Sequence, residues 1–94
     1  MPRTTDTPRD AIIEQVRPLV EACYVAAGGS GSGRLRVVLR LLRDGAVKSV
    51  DATATGTIPH KVASCSASRI RAKRLRMEAD TPRFLSFPVV LPKQ

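Results

Sequence analysis

Apolar residues recur with a helical period between residues 12 and 27, and charged or polar residues fill most positions between them. Thr7, Pro8 and Asp10 are typical of a helix start, with Thr7 as N-cap, Pro8 at the first helical position and Asp10 closing a capping box. Pro18 falls on the polar side, so we expect it to kink the helix and not to end it. The predicted buried stripe consists of Ile12, Ile13, Val16, Leu19, Val20, Cys23, Ala26 and Ala27.

Two β-rich runs follow a Gly-Ser segment at 28–33, and Asp44-Gly45 joins them. Alternating runs joined by Asp-Gly are a strong hairpin signal, so 34–43 and 46–54 are predicted to be paired strands. Apolar residues share one face and arginines share the other, which predicts a sheet with one buried face and one basic, partly solvated face. The buried face consists of Leu35, Val37, Leu39, Leu41, Val50, Ala52 and Ala54, and the basic face carries Arg34, Arg36 and Arg40.

A second helix is predicted to begin at Ile58-Pro59 and to lose its period near Lys73. Leu75 and Met77 then alternate with polar residues, which indicates extended chain. The helical positions that share one face are Val62, Cys65, Ser66 and Ile70.

The last apolar run, 83–91, is predicted to be a third strand beside the first. Pro88 has no N–H to donate to a ladder, so this strand should lie at a sheet edge. The predicted fold is α+β, in the order α-β-β-α-β, with two helices packed on one face of a three-stranded antiparallel sheet. Residues 1–6 are predicted to be a flexible N-terminal segment, and 7–92 a single domain.

The chain is strongly basic, with 16 Lys and Arg against eight Asp and Glu. This balance favours acidic proteins, nucleic acid or an anionic membrane surface as partners. A nucleic-acid-binding module that uses the basic segment 69–76 is the alternative hypothesis for function. No aromatic residue lies in that segment to stack on bases, so a solvated face explains it better. No stretch approaches the roughly 20 apolar residues of a membrane span, so we expect no membrane insertion by this domain itself.

The sequence gives little support for catalysis, a metal or another cofactor. His60 is the single histidine and the only base near Cys65, so a thiol enzyme is a hypothesis that requires a reactive free Cys65. Two cysteines and one histidine cannot complete a tetrahedral metal site from this chain alone. The glycines of 28–33 follow a helix and precede a strand, which is the reverse of a phosphate-binding loop. We therefore expect neither an enzyme nor a small-molecule substrate.

Cys23 and Cys65 each lie on the predicted inward stripe of a helix. Two buried thiols that pack as small hydrophobes are one interpretation. Two helices side by side on one sheet face would bring the sulfur atoms together, which favours a disulfide and an oxidising compartment. Closing a loop of about 43 residues would stabilise this small domain by roughly 4 kcal/mol.

The order of these elements resembles the AgmX/PglI-type C-terminal domain, a relative of the TonB C-terminal domain. The resemblance covers about residues 9 to 91 and depends on Cys-Tyr at the end of the first helix, the Asp-Gly turn, the second-helix cysteine and the closing Phe-Pro. The chain departs from the family at Leu75 and Met77, where the family has bulky aromatics, and at Val89 and Leu91 in the final segment.

The resemblance implies a periplasmic interaction domain, typically at the C-terminal end of an envelope-spanning protein anchored in the inner membrane of myxobacteria and related bacteria. It implies a Cys23–Cys65 disulfide, settings such as gliding motility or energy transduction to the outer membrane, and a periplasmic or outer-membrane protein segment as partner. The TonB relationship suggests that this segment adds as a strand to the third strand. The predicted partner-binding residues are Arg83, Phe84, Leu85, Ser86 and Phe87, with Arg34, Arg36 and Arg40 as contacts for an acidic partner.

Overall fold

Two helices and three strands follow one another in the predicted order, which confirms the α+β class. The structure is a computed structural model that describes residues 8–77 and 80–92. The predicted flexible segment 1–6 and the predicted N-cap Thr7 lie outside the described residues. The elements are α1 (Pro8–Ala26), β1 (Gly33–Leu41), β2 (Val47–Ala54), α2 (His60–Ala72) and β3 (Phe84–Leu91).

The α1 helix begins at Pro8 and carries Asp10 in its first turn, as its sequence predicts. It continues through Pro18, which is exposed, so the missing N–H is tolerated on the solvent side. At the other end, the Tyr24 hydroxyl donates a hydrogen bond to the carbonyl of Gly31. This bond fixes the path of the glycine-rich loop that follows the helix.

The predicted buried stripe of α1 is confirmed at five of its eight positions. Leu19, inside the helix, and Ala27, just after it, are only partly buried, and Ala26 is exposed where the helix ends. Tyr24, which the predicted stripe omits, is buried because it lies one helical turn after Val20. The stripe residues that are buried are Ile12, Ile13, Val16, Val20 and Cys23.

The three strands form one antiparallel sheet in the order β2-β1-β3. The third strand therefore lies beside the first and at an edge, as predicted. The turn between β1 and β2 is longer than the predicted two residues, because β1 ends at Leu41 and β2 begins at Val47. Within it, the Leu42 N–H donates to the Ala46 carbonyl and the Gly45 N–H donates to the Leu42 carbonyl. A register shift at the end of β1 accompanies this wider turn.

The two helices cover one face of the sheet, where α2 packs on β2 and α1 packs on α2 and β3. All four predicted core positions of β1 are buried, and Val50 lies with them, whereas Ala52 and Ala54 are partly buried. The core is almost entirely aliphatic, and Phe87 is its largest fully buried side chain. The other main core residues are Leu35, Val37, Leu39, Leu41, Val62, Ile70, Leu75, Leu85, Val89 and Leu91.

Cys23 of α1 and Cys65 of α2 lie at the distance of a disulfide bond, with 2.04 Å between the sulfur atoms and 5.8 Å between the Cα atoms. Cys23 is fully buried and Cys65 is partly buried. Neither cysteine is a free thiol in this structure. The bond therefore holds the two helices against each other over the sheet.

The segment 73–77 leaves α2 and packs against α1 instead of joining the sheet. Leu75 is buried and Met77 is partly buried. The Gln15 amide nitrogen donates to the Arg76 carbonyl over 3.0 Å, and the Arg76 N–H donates to the Gln15 amide oxygen over 2.8 Å. Gln15 thus binds this segment by both backbone groups of one residue, as a neighbouring strand would.

Reduction of the disulfide is expected to lower the free energy of unfolding by about 4 kcal/mol, because the bond joins residues that are 42 apart in sequence. Urea unfolding of the oxidised and the reduced protein, followed by circular dichroism, measures this difference. The Cys23→Ser, Cys65→Ser double variant is the control, since its stability must not respond to reductant. A loss below about 1 kcal/mol would contradict the prediction.

The Gly45→Ala substitution is expected to destabilise the fold more than Gly28→Ala does. Both glycines have a positive φ, so both substitutions strain the backbone by a similar amount, about 1–3 kcal/mol. A Cβ at Gly45 would overlap the Leu75 carbonyl, whereas a Cβ at Gly28 meets nothing within 4 Å. The overlap would also break the bond from the Leu75 N–H to the Gly45 carbonyl, so we expect an extra loss of about 1 kcal/mol or more. Equal unfolding midpoints for the two variants would show that this contact is unimportant.

Candidate partner-binding surface

The free edge of β3 is defined by the alternation of its hydrogen bonds to β1. The Leu41 N–H donates to the Arg83 carbonyl over 2.7 Å. This bond fixes which alternate residues of β3 exchange hydrogen bonds with β1. Backbone groups at alternate residues of an antiparallel pair point toward the partner strand and away from it. The backbone groups that point away from β1 therefore belong to Phe84, Ser86, Pro88 and Val90.

The centre of this edge is already occupied, and its ends are open. Pro88 has no N–H, so one outward donor is missing. The Ser86 carbonyl accepts a hydrogen bond from the Arg9 guanidinium over 2.9 Å. The outward backbone groups of Phe84 and Val90 make no hydrogen bond to another described residue. A partner strand thus finds the Phe84 end open and must displace Arg9 to pair with the centre.

The five predicted partner-binding residues of β3 do not all face the same way. Leu85 and Phe87 are 2% and 1% exposed, and their backbone groups point toward β1. They are core residues, because every second residue of the strand faces the helices. Arg83, Phe84 and Ser86 are the members of the predicted set that present side chains to solvent.

Arg34, Arg36 and Arg40 lie on the sheet face opposite the helices, as predicted, and all three are exposed. Two of them lean toward β3. The Arg36 guanidinium donates to the Ser86 hydroxyl over 3.1 Å, and the Arg40 guanidinium carbon lies 5.0 Å from the centre of the Phe84 ring. Cation–π contact of this kind leaves the N–H groups at the edge of the guanidinium able to donate. The positive charge of β1 is therefore directed over the β3 edge.

A cleft of about 270 Å³ opens beside Phe84, where the ends of all three strands meet the hairpin turn. Its lining contains four cationic side chains and no carboxylate. Phe84 and Leu42 add apolar surface to it, with exposed fractions of 55% and 45%. We call this feature the cationic cleft; its lining is formed by Arg40, Leu41, Leu42, Arg43, Lys48, Arg83 and Phe84.

Asp44, at the tip of the turn, does not neutralise the cationic cleft. Its carboxylate accepts hydrogen bonds from the Ala46 N–H over 3.1 Å and from the Arg74 guanidinium over 3.0 Å. The Ala46 N–H, and after it the positive charge of Arg74, lower the pKa of Asp44 below its usual value of 3.8. Asp44 lines a second, larger cleft of about 530 Å³ together with Arg74 and Met77, and Arg43 borders both clefts. The carboxylate is thus ionised at neutral pH and paired on the far side of the turn.

The residues of the alternative hypotheses are placed as follows. His60 is exposed at the first turn of α2, and Cys65 is bound to Cys23. The glycine-rich loop packs against residue 57, where the Ser32 N–H and carbonyl both bond to Thr57. Within the described ranges, no group of three His, Cys, Asp or Glu side chains is placed to hold a metal ion. None of the described helices has the length and hydropathy to cross a membrane.

The basic segment 69–76 is divided between two structures. Arg69 and Arg71 lie in the last turn of α2, and the other three cationic residues follow in the segment held by Gln15. All five are exposed, but Arg74 is bound to Asp44. The segment therefore presents no continuous row of cationic side chains along one element.

Sequence reasoning missed Arg9, Arg43 and Lys48 as parts of this surface. Arg43 and Lys48 flank the Asp-Gly turn, so the hairpin pairing itself was a signal that they lie at one end of the sheet. The contact of Arg9 with β3 joins residues 77 apart and depends on how α1 lies on the sheet, for which no local pattern is a signal.

Comparison with known proteins adds no relative. No model of a protein family, no curated protein and no solved structure matches this chain. The resemblance to the AgmX/PglI-type domain therefore stays a prediction from the sequence.

Proposed function

We propose that this domain is a non-enzymatic protein-binding module that takes up an extended partner segment as a fourth strand on the free edge of β3. The observation that supports this best is the exposure of large apolar side chains on that strand. Among the described residues, four large apolar side chains are exposed, and two of them, Phe84 and Val90, lie on β3. Exposed apolar side chains next to open backbone groups are what strand addition uses for selectivity and affinity.

The β2 strand forms the other edge of the sheet and is a poorer acceptor for a partner. The side chains it presents to the uncovered face are polar, at Ser49, Asp51 and Thr53. No large apolar side chain of β2 is exposed. A partner strand at this edge would gain backbone hydrogen bonds but little apolar contact, so β3 is the better supported edge.

We further propose a periplasmic location, as the C-terminal part of an envelope-spanning protein anchored in the inner membrane. A disulfide that joins both helices in a chain of 94 residues supports an oxidising compartment. The resemblance to the AgmX/PglI-type domain supports the same location and a role in gliding motility or in energy transduction to the outer membrane. The partner would then be a segment of a periplasmic or outer-membrane protein.

Ser86→Pro is expected to lower the affinity for a strand-adding peptide about tenfold, because it removes an outward N–H and leaves the hydrogen bonds to β1 intact. The probe is a peptide selected from a displayed random library, titrated into the ¹⁵N-labelled domain. Ala52→Pro on β2 removes the corresponding outward N–H of the other edge and should change the affinity less than twofold. Ser86→Ala, which keeps the N–H and loses only the hydroxyl, should bind as the unmodified domain does.

A second measurement leaves the protein unchanged. Two versions of the selected peptide are compared, one methylated at the odd-numbered backbone nitrogens and one at the even-numbered ones. Since an edge strand pairs through alternate amides, one version should lose binding and the other should keep it. Chemical-shift changes confined to the helices, for every selected peptide, would refute strand addition.

The location is tested by the redox state of the two cysteines in cells. Protein isolated from the native host under acid quench should show no alkylated cysteine by intact mass, whereas prior reduction should give two. Two alkylated cysteines without reduction would contradict the periplasmic proposal and favour the nucleic-acid hypothesis for segment 69–76.

A further inference from the structure

The cationic cleft carries positive charge that no described carboxylate neutralises through an ion pair. The ion pairs between described residues join Arg17 to Glu14 and Arg74 to Asp44, so none of the four cationic side chains of the cleft takes part in one. Cationic side chains that converge on one cleft raise the local concentration of anions and favour an anionic ligand. The site is therefore selective for charge whatever occupies the β3 edge.

The cleft is continuous with the open end of that edge. Phe84 lines the cleft with its ring, and its backbone groups point away from β1. Toward the other end, Arg9 occupies the Ser86 carbonyl and Pro88 lacks a donor. The backbone is open at Phe84 and at Val90, but only Phe84 lines the cleft, so a segment attracted by the charge of the cleft pairs at Phe84 and its chain continues over the cleft.

We propose that the partner segment is acidic, with carboxylates bound in the cationic cleft and an adjacent apolar residue packed against Phe84 and Leu42. This inference rests on the proposed strand addition and names the chemistry of its partner. Arginine forms paired hydrogen bonds with a carboxylate, and three of the four cationic side chains here are arginines. Residues two apart in an extended segment point to the same side, so acidic residues at alternate positions face the cleft together.

A peptide fits this surface better than a nucleic acid does. One face of Phe84, the only aromatic side chain of the cleft, is covered by the Arg40 guanidinium, which limits base stacking. The open N–H and carbonyl at Phe84 match the backbone of a peptide strand and have no counterpart in a sugar-phosphate chain. Leu42 gives the site apolar surface that a phosphate chain does not use.

The test compares two eight-residue peptides that differ only in charge, one with Glu at alternate positions among Val and Thr, and one with Gln at those positions. Fluorescence anisotropy with the oxidised domain should show at least tenfold tighter binding of the Glu peptide. Raising the salt concentration from 50 to 300 mM should lower the affinity for the Glu peptide severalfold and leave the affinity for the Gln peptide nearly unchanged.

Paired charge variants locate the binding. The double variant Arg43→Gln, Lys48→Gln should bind the Glu peptide at least tenfold more weakly. The control, Arg69→Gln with Arg71→Gln, removes the same charge from the exposed end of α2 and should lower the affinity for the Glu peptide less than twofold. Equal effects of the two pairs would mean that only the net charge matters, which would overturn the assignment to the cleft.

The remaining outcomes separate this inference from the proposed function. Equal binding of the Gln peptide with amide shifts at β3 would refute an acidic partner and leave strand addition intact. Binding of the Glu peptide that Ser86→Pro does not weaken, but the cleft pair does, would support the charge site and refute strand addition. A single-stranded oligonucleotide of equal charge that displaces the Glu peptide and binds more tightly would overturn the peptide assignment.

Discussion

The bond between Cys23 and Cys65 is the constraint on which the rest of this domain depends. Both described helices lie on one face of the sheet, and α1 reaches β3 while α2 lies over β2, so the helices must stay together for the core to close. The core is aliphatic and small, and a domain of this size buries a smaller fraction of its surface than a larger domain does. Fixing α1 against α2 also fixes Arg9 at the β3 edge and Gln15 at the segment 73–77. The geometry of the candidate surface at the β3 edge thus depends on a crosslink between the helices that cover the sheet.

The parts of the structure that depend on local patterns could be predicted, and the parts that depend on packing between elements could not. The Asp-Gly turn predicts the hairpin, and the helical period predicts the limits of α2 and the inward position of both cysteines. The N–H that Pro88 lacks predicts the edge position of β3. The length of the turn was missed because the register shift beside Leu41 has no sequence signature. Leu85 and Phe87 belong to the predicted binding edge, but alternate residues of a strand face opposite sides, so their side chains lie in the core. The contact of Arg9 with Ser86 was out of reach, since it depends on the angle at which α1 lies on the sheet.

The β3 edge combines protection with access. An unprotected edge strand pairs with any chain, and proteins limit this with proline, with charge and with covering side chains. Here Pro88 and the Arg9 guanidinium block the middle of the strand, and Arg36 holds the Ser86 hydroxyl beside them. Of the two open ends, at Phe84 and at Val90, only the Phe84 end also lines the cationic cleft, so the proposed pairing favours segments that gain enough there to displace Arg9.

Charge and apolar exposure select the same edge of the sheet. On the uncovered face, β1 carries three arginines in the middle, and two of them lean over β3 and away from β2. The β2 strand carries Asp51 on that face, opposite Val38. An acidic segment at the β2 edge would meet Asp51 as well as Lys48 and no exposed large apolar side chain, whereas at the β3 edge it would meet guanidinium groups and Phe84. The guanidinium groups and the exposed Phe84 thus favour β3 over β2 for the proposed acidic strand, even though both edges offer backbone hydrogen bonds.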